Sequence, residues 1–321
     1  MIEVRSLAKS FPVQGRGLAG WRRSRASAGA AAVRAGDGER RVHAVVDVGF
    51  DAPDGRITGL LGPNGAGKTT TLRMLAALIA PDAGTMRVDG IDVVARPRDV
   101  LARMGVLSDS RGLYPRLTAR ENIVYYGALQ GMARDAAEAR AEELARIGML
   151  SDARGLYPRL TARENIVYYG ALQGMERDAA DARAQDLARM FDMTELLDRR
   201  TDGFSQGERM KTALARALVH DPPNIVLDEP TNGLDVLATR ALRDSLRWLR
   251  TPEGGSKCIV FSTHIMQEVE RLCDSVVVVA EGRTVATGTV AELLRATAES
   301  DFEEAFVKLA FHARAVAGAA P

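Results

Sequence analysis

The sequence predicts an α/β fold built on a parallel core sheet with covered faces, and three observations carry that prediction. Short apolar runs of buried-strand type alternate with helix-forming stretches along the chain. One such run feeds a glycine-rich loop and then a helix. Another delivers two carboxylates to its own C-terminal end, where open α/β sheets place their ligands. The 321 residues are 46% hydrophobic and 26% charged, the balance of an ordinary globular chain of about two domains. Forty-three basic side chains face 42 acidic ones, too even a balance for a nucleic-acid binder driven by bulk charge, so no nucleic-acid partner is expected. Cys258 and Cys273 have neither metal-ligand nor redox spacing, which fits a reducing compartment. The opening Met1-Ile2-Glu3-Val4-Arg5 has no apolar h-region. The longest apolar runs, such as 276–280, fall far short of the roughly 18 residues a membrane span needs.

Taken in order, residues 13–41 are rich in Gly, Ala, Ser and Arg without a hydrophobic period and read as a flexible, solvated loop. Seven arginines lie between Arg16 and Arg41. β-like runs follow at 44–50 and 56–61, then a helix candidate at 70–79. Residues 105–147 and 148–190 align without gaps at a period of 43, with 36 positions identical. Two copies do not make a solenoid, so this is a tandem duplication inside one domain. Each copy holds a short strand candidate, Ser-Asp, a Gly-Leu-Tyr-Pro turn and two helical stretches. Thr118-x-x-Glu121 and Thr161-x-x-Glu164 fit capping boxes at the first helix of each. Only one strand slot is expected beside the core sheet, so 105–109 and 148–152 compete for it. Copy one is expected to take the sheet, and copy two to supply the helices that lead to Ser205. Strand candidates at 224–227, 258–262 and 276–280 and helix candidates at 210–219, 238–249 and 266–273 complete the alternation, which implies parallel strands with covered faces. Phe302-Glu303-Glu304-Ala305-Phe306 reads as a terminal helix.

Gly62-Pro63-Asn64-Gly65-Ala66-Gly67-Lys68-Thr69 fits G-x-x-x-x-G-K-[ST] in the strand–loop–helix context that pattern requires. Glycines let successive backbone N–H groups converge on phosphate oxygens, and the helix N-terminus adds positive potential. Lys68 would neutralise the β/γ-phosphates, the Thr69 hydroxyl would ligate Mg²⁺, and Thr70 beside it belongs to the nucleotide-binding set. Asn224-Ile225-Val226-Leu227-Asp228-Glu229 is the counterpart. Asp228 would hold the metal shell and Glu229 would polarise an attacking water.

With those two motifs, Phe204-Ser205-Gln206-Gly207-Glu208, Asn232-Gly233-Leu234-Asp235 and Phe261-Ser262-Thr263-His264 stand in the order of the motifs of an ATP-binding cassette. The chain resembles the nucleotide-binding subunit of an ABC transporter over residues 1–295, with 296–321 as a C-terminal tail. The resemblance implies a P-loop cassette with a parallel core sheet, an antiparallel β-subdomain and a helical subdomain, here enlarged by duplication. It implies ATP and Mg²⁺ as ligands, and an ATP sandwich between two head-to-tail cassettes, as a homodimer or a paired cassette. In that sandwich Ser205 and Gly207 of the signature would face nucleotide across the dimer, His264 would contact the γ-phosphate and Asp235 would couple the sites. Phe11 would stack the adenine as an A-loop aromatic does. The family's Q-loop glutamine falls at Asp109 or its duplicate Asp152, where an aspartate can still bind Mg²⁺ with a shorter reach. The signature ends in Glu208 instead of glutamine, and Ser205-x-x-Glu208 is itself a capping box. The wording of Phe204 to Gly207, of the 232–235 loop and of Thr263 to Glu270 resembles ATPase subunits of bacterial sodium-extruding exporters. The implied role is ATP hydrolysis that powers export through a separate integral-membrane permease from the cytoplasmic face of the membrane, with sodium as the cargo that the motif wording implies. A non-transport ABC ATPase and a catalytically weak nucleotide-binding module stand as alternatives.

Overall fold

The structure, a computed structural model, describes residues 1–12, 32–34, 40–107, 135, 138, 156–232 and 234–312. Asp109, Asp152, Gly233, nearly all of the 13–41 loop and most of the first repeat copy lie outside the described residues. The chain divides into two compact units, Met1–Ala95 with Cys258–Pro321, and Arg96–Lys257.

In the first unit β1 (Ile2–Pro12), β2 (Ala32–Arg34), β3 (Arg40–Ala52), β4 (Ile57–Leu61), β5 (Ala83–Val88) and β6 (Ile91–Asp92) are followed, after the second unit, by β9 (Cys258–Thr263), β10 (Ser275–Ala280) and β11 (Arg283–Gly288). Their order is β6-β5-β1-β3-β11-β10-β4-β9, with β2 also on β3. The parallel part is β10-β4-β9, with Leu61 opposite both Val278 and Thr263. All five residues of β4 and all six of β9 are buried, which is why these segments read as unbroken apolar runs: helices cover both faces. The antiparallel part pairs Ile2 with Ala52 and Val88, and Val4 with Phe50 and Met86. There Ile2 and Val4 are buried while Glu3 and Arg5 are not, the period-2 alternation of a sheet covered on one face. The expected strands at 44–50, 56–61, 258–262 and 276–280 all lie within, or within a residue of, observed ones.

Helix α1 (Lys68–Leu75) is shorter than the expected 70–79 stretch. Ala77 turns into the left-handed region at φ 54° and its N–H closes on Met74 O, so the helix ends four residues early. Further along, α7 (Met266–Leu272), α8 (Val290–Thr297) and α9 (Phe302–Val307) belong to the same unit. α9 buries Phe302 and Phe306 with Val276, Val278 and Leu293. The segment after 295 therefore carries part of this unit's core, and apolar burial of this kind contributes roughly 1.5–3 kcal/mol per large side chain.

The second unit contains α2 (Pro97–Leu101), β7 (Met104–Leu107), α3 (Ala162–Leu172), α4 (Arg177–Met190), α5 (Gln206–Leu218), β8 (Asn224–Asp228) and α6 (Val236–Leu249). β7 lies parallel to β8, Met104 opposite Asn224 and Leu107 opposite Leu227. β7 comes from the first repeat copy. The helices that follow it in the description, α3 and α4, come from the second. Thr161 caps α3, accepting from Glu164 N–H at 3.1 Å while Glu164 accepts from Thr161 N–H at 2.7 Å, the box read from the sequence. Its twin at Thr118 lies outside the described residues. Asn165, fully buried, ties this start together by accepting from Tyr157 N–H and donating to the carbonyls of Tyr157 and Thr161. α3 and α4 pack on each other and on α5.

Candidate functional site

Residues 62–67 turn between β4 and α1 by a backbone that only glycine tolerates at two places. Gly67 sits at φ 103°, and a Cβ there would meet Ala44 O at 2.5 Å. Gly62 donates its N–H to Thr263 O, and a Cβ on it would fall 2.2 Å from Val279 O. The turn is pinned by Ala66 N–H to Pro63 O and by Gly282 N–H to Ala66 O. Asn64 and Gly65 are exposed at its tip, Gly65 at φ 84°, while Ala66 is buried and Thr69 and Thr70 are half-buried.

Gly67 is the N-cap of α1, no side chain caps that end and its first turn holds no acid. The N-terminal N–H groups of a helix have no partner within it, and here they lie at the mouth of the loop. Lys68, only 5% exposed, donates its Nζ to Gly62 O at 2.7 Å and Pro63 O at 3.2 Å. The ammonium thus lies inside the curve of the loop. A converging set of amide donors with one buried cation fits an anion bearing several acceptor oxygens.

His264 follows β9 directly and is exposed; Ile265 N–H closes the turn on Thr263 Oγ1. Because β4 and β9 are in register at Leu61 and Thr263, the glycine-rich loop and His264 leave the same end of the sheet. Phe11, on β1 opposite Val42 of β3, is 39% exposed, with Lys9 Nζ 5.7 Å from its ring centre. Lys9 is held by Asp82, whose carboxyl is drawn down to about 2: burial works the other way, but hydrogen bonds from Lys9 and Ser10 prevail.

In the second unit β8 delivers Asp228, 4% exposed, and Glu229, 9% exposed, at its C-terminal end. Glu229 adopts φ 48°, a left-handed conformation that costs a non-glycine residue of order 1 kcal/mol or more and clusters at functional sites. Asn232 N–H returns to Glu229 O at 3.1 Å. Ser205 is the N-cap of α5 and Gly207 lies in its first turn, where a Cβ would press on Ala238 at 3.2 Å. Ser205 Oγ accepts from Glu208 N–H at 3.3 Å, and Glu208 Oε2 accepts from Ser205 N–H at 2.7 Å. That backbone bond holds the Glu208 carboxyl below the usual glutamate range. Gln206 Nε2 reaches Asn232 O at 3.4 Å, so the signature-like turn and the loop after β8 touch. Asp235 caps α6, its Oδ1 accepting from Ala238 N–H at 2.8 Å.

Among the described residues no group of three or more His, Cys, Asp or Glu could hold a metal ion. Thr69 in the first unit offers a hydroxyl and Asp228 in the second a carboxylate, each a type of oxygen donor that Mg²⁺ accepts. Sequence reasoning did not find the partners that shape the loop from outside, namely Ala44 O, Val279 O and Gly282 N–H, nor the Gln206–Asn232 contact. They come from distant strands and carry no local motif. Thr231, 6% exposed with a buried hydroxyl that has no hydrogen-bond partner among the described residues, was also unforeseen. No described helix is long and apolar enough to cross a membrane.

The family model for ABC transporters matches residues 45–145 and again 133–232, two stretches that overlap inside the repeat. The chain is 36% identical over 272 residues to the ABC transporter ATP-binding protein NatA of Bacillus subtilis, covering 84% of this chain and 92% of that one. It is 36% identical over 263 residues to the Nod factor export ATP-binding protein I of Paraburkholderia xenovorans, covering 82% and 71%. Its fold matches the structure of an ATP-binding subunit of an ABC transporter, with TM-score 0.65, 23% identity and coverage of 96% and 98%. It also matches the dimeric post-hydrolysis structure of the cassette MJ0796 bound to ADP and Pi, with TM-score 0.58, 19% identity and coverage of 90% and 98%.

Proposed function

The chain belongs to the ABC transporter family, as an ATP-binding and ATP-hydrolysing subunit, and from that premise we propose that it powers export through a separate membrane permease. The observation that carries the proposal is the lysine-bearing loop that leads into the N-terminus of α1 and holds the Lys68 ammonium inside its curve. Backbone N–H groups of Gly65 and of 67–69 bind the phosphate oxygens and Lys68 Nζ leaves its carbonyl partners for the β/γ-phosphates. Thr69 and Asp228 would hold Mg²⁺, which when bound neutralises charge that develops on the transferring phosphoryl group. Glu229 orients the attacking water and accepts its proton, the left-handed backbone at 229 fixing where the carboxylate can reach. His264 contacts the γ-phosphate, and Phe11 offers its exposed ring to the adenine. Ser205 and Gly207 serve the nucleotide of a partner cassette, which would make the working unit a dimer as in the MJ0796 structure. Export as the direction follows the printed function of the Nod factor relatives, and sodium as the cargo follows motif wording. The subunit would then act from the cytoplasmic face.

Phosphate release by the purified chain tests this reading. Glu229→Gln is expected to keep ATP affinity and lose turnover by about 10²-fold or more. Turnover equal to wild type would remove Glu229 from its role. Sodium extrusion from vesicles carrying the subunit with its permease, absent in the Glu229→Gln pair, tests the cargo.

A further inference from the structure

The chain that leaves α1 reaches β5 at Asp82 and there meets the far end of β1. Asp82 N–H donates to Ala8 O at 2.8 Å, and Ala83 stands opposite Ala8. Gly84 lies at φ 89°, where a Cβ would fall 2.4 Å from Ser6 O, so the two strands run in close contact. The Asp82 carboxylate adds three bonds of its own. Oδ1 accepts from Lys9 Nζ at 2.7 Å, and Oδ2 accepts from Ser10 N–H at 2.7 Å and from Ser10 Oγ at 2.8 Å. Ser10 Oγ in turn accepts from Arg41 Nε at 3.1 Å.

These fastenings fall where β1 is irregular. Its register on β3 slips between Leu7 and Lys9 and again between Lys9 and Ser10, and such irregularities re-aim the side chains around them. Phe11 is the next residue. Lys9 pairs with Val45, and directly paired residues share a face of the sheet. That face is turned to the glycine-rich loop, since Val45 Cγ2 lies 3.3 Å from where a Cβ on Gly67 would stand. The Phe11 ring centre is 5.7 Å from Lys9 Nζ, within reach of cation–π attraction, so the ring stands beside the same face. A lone surface ion pair contributes little. Here one carboxylate holds an ammonium, a hydroxyl and a backbone N–H at once, in the two residues before an exposed aromatic.

We propose that Asp82 is a positioning residue for the nucleotide base: by fixing Lys9 and Ser10 it sets the aim of the Phe11 ring. The proposal rests on the reading of Phe11 as the platform for adenine. A ring already held in place stacks a base without a further ordering cost, and at the end of a strand that hold must come from its neighbours. Asp82 touches no phosphate in this role, so its effect is confined to ligands that carry a base.

The test compares equilibrium binding of MgATP and of base-free magnesium tripolyphosphate to the full chain and to Phe11→Ala, Asp82→Ala and the double variant. Phe11→Ala is expected to weaken MgATP by about fivefold or more, and Asp82→Ala by at least about threefold. Tripolyphosphate affinity should stay at the wild-type value in all of them. The double variant should bind MgATP within about twofold of Phe11→Ala, because Asp82 acts through that ring. Wild-type MgATP affinity in Asp82→Ala beside a weakened Phe11→Ala would overturn the positioning role alone. Wild-type affinity in Phe11→Ala would overturn the adenine platform and the proposal with it. An equal loss of MgATP and tripolyphosphate in Asp82→Ala would assign Asp82 to the fold of the phosphate loop and overturn the proposal as well.

Discussion

At position 208 a carboxylate closes the cap of α5, its Oε2 taking the Ser205 N–H at 2.7 Å while Arg199 Nη1 stands 3.6 Å from Oε1. The Ser205 backbone bond holds the folded-state pKa of Glu208 below its ordinary 4.5. The stabilisation is therefore full above that ordinary value and is lost as pH falls through the lower folded one. Glu208→Gln keeps a side chain that can complete the box, so its stability near neutrality is expected to change by less than about 1 kcal/mol. Its decline on acidification should be shallower than that of wild type, checked by thermal unfolding across about pH 3 to 6; an equal slope would count against the cap. The same charge sits at a helix N-terminus that the proposed dimer turns toward phosphate, so it competes with nucleotide there. Glu208→Gln is expected to raise the ATP affinity of a closed dimer, and unchanged or lower affinity in a titration would argue otherwise. The box was legible because both partners lie within four residues. The left-handed backbone at Glu229 was not, since no residue type at 229 announces it.

Between β4 and α1 the sequence pattern gave the loop, its lysine and its helix, because all three are contiguous. What it could not give is why Gly62 and Gly67 in particular are glycines: the carbonyls they approach belong to Val279 and Ala44, 217 and 23 residues away. Alanine at Gly67 needs φ near 103° and must displace Ala44 O. The expected cost is more than about 1 kcal/mol, or a few degrees in thermal midpoint, together with weakened nucleotide binding. Gly65→Ala meets no atom within 4 Å and is the contrast, bearing backbone strain at φ 84° without a clash. If Gly67→Ala unfolded at a higher temperature than Gly65→Ala, the close approach would not be what constrains position 67. Helix α1 shows the same limit from the other side. Its apolar pattern runs on to Ile79, yet the turn at Ala77 ends it, and no Gly or Pro in the pattern marks that stop.

Across the whole chain the order of motifs fixed the family, and the 43-residue duplication did not hide it, since the similarity to NatA spans 92% of that protein. Removing either copy, 105–147 or 148–190, leaves sequences that differ at seven positions, none of the described ones buried. Both deletion variants are expected to fold with thermal midpoints within a few degrees of each other. A large gap between them would mean that positions off the core decide which copy the fold accepts. The account as a whole rests on the loop around Lys68, and equilibrium binding of MgATP to the purified chain beside Lys68→Ala measures it most directly. Saturable binding that weakens by about tenfold to a hundredfold in the variant is the expected result. Equal affinity in the two proteins, or none in the wild type, would contradict it.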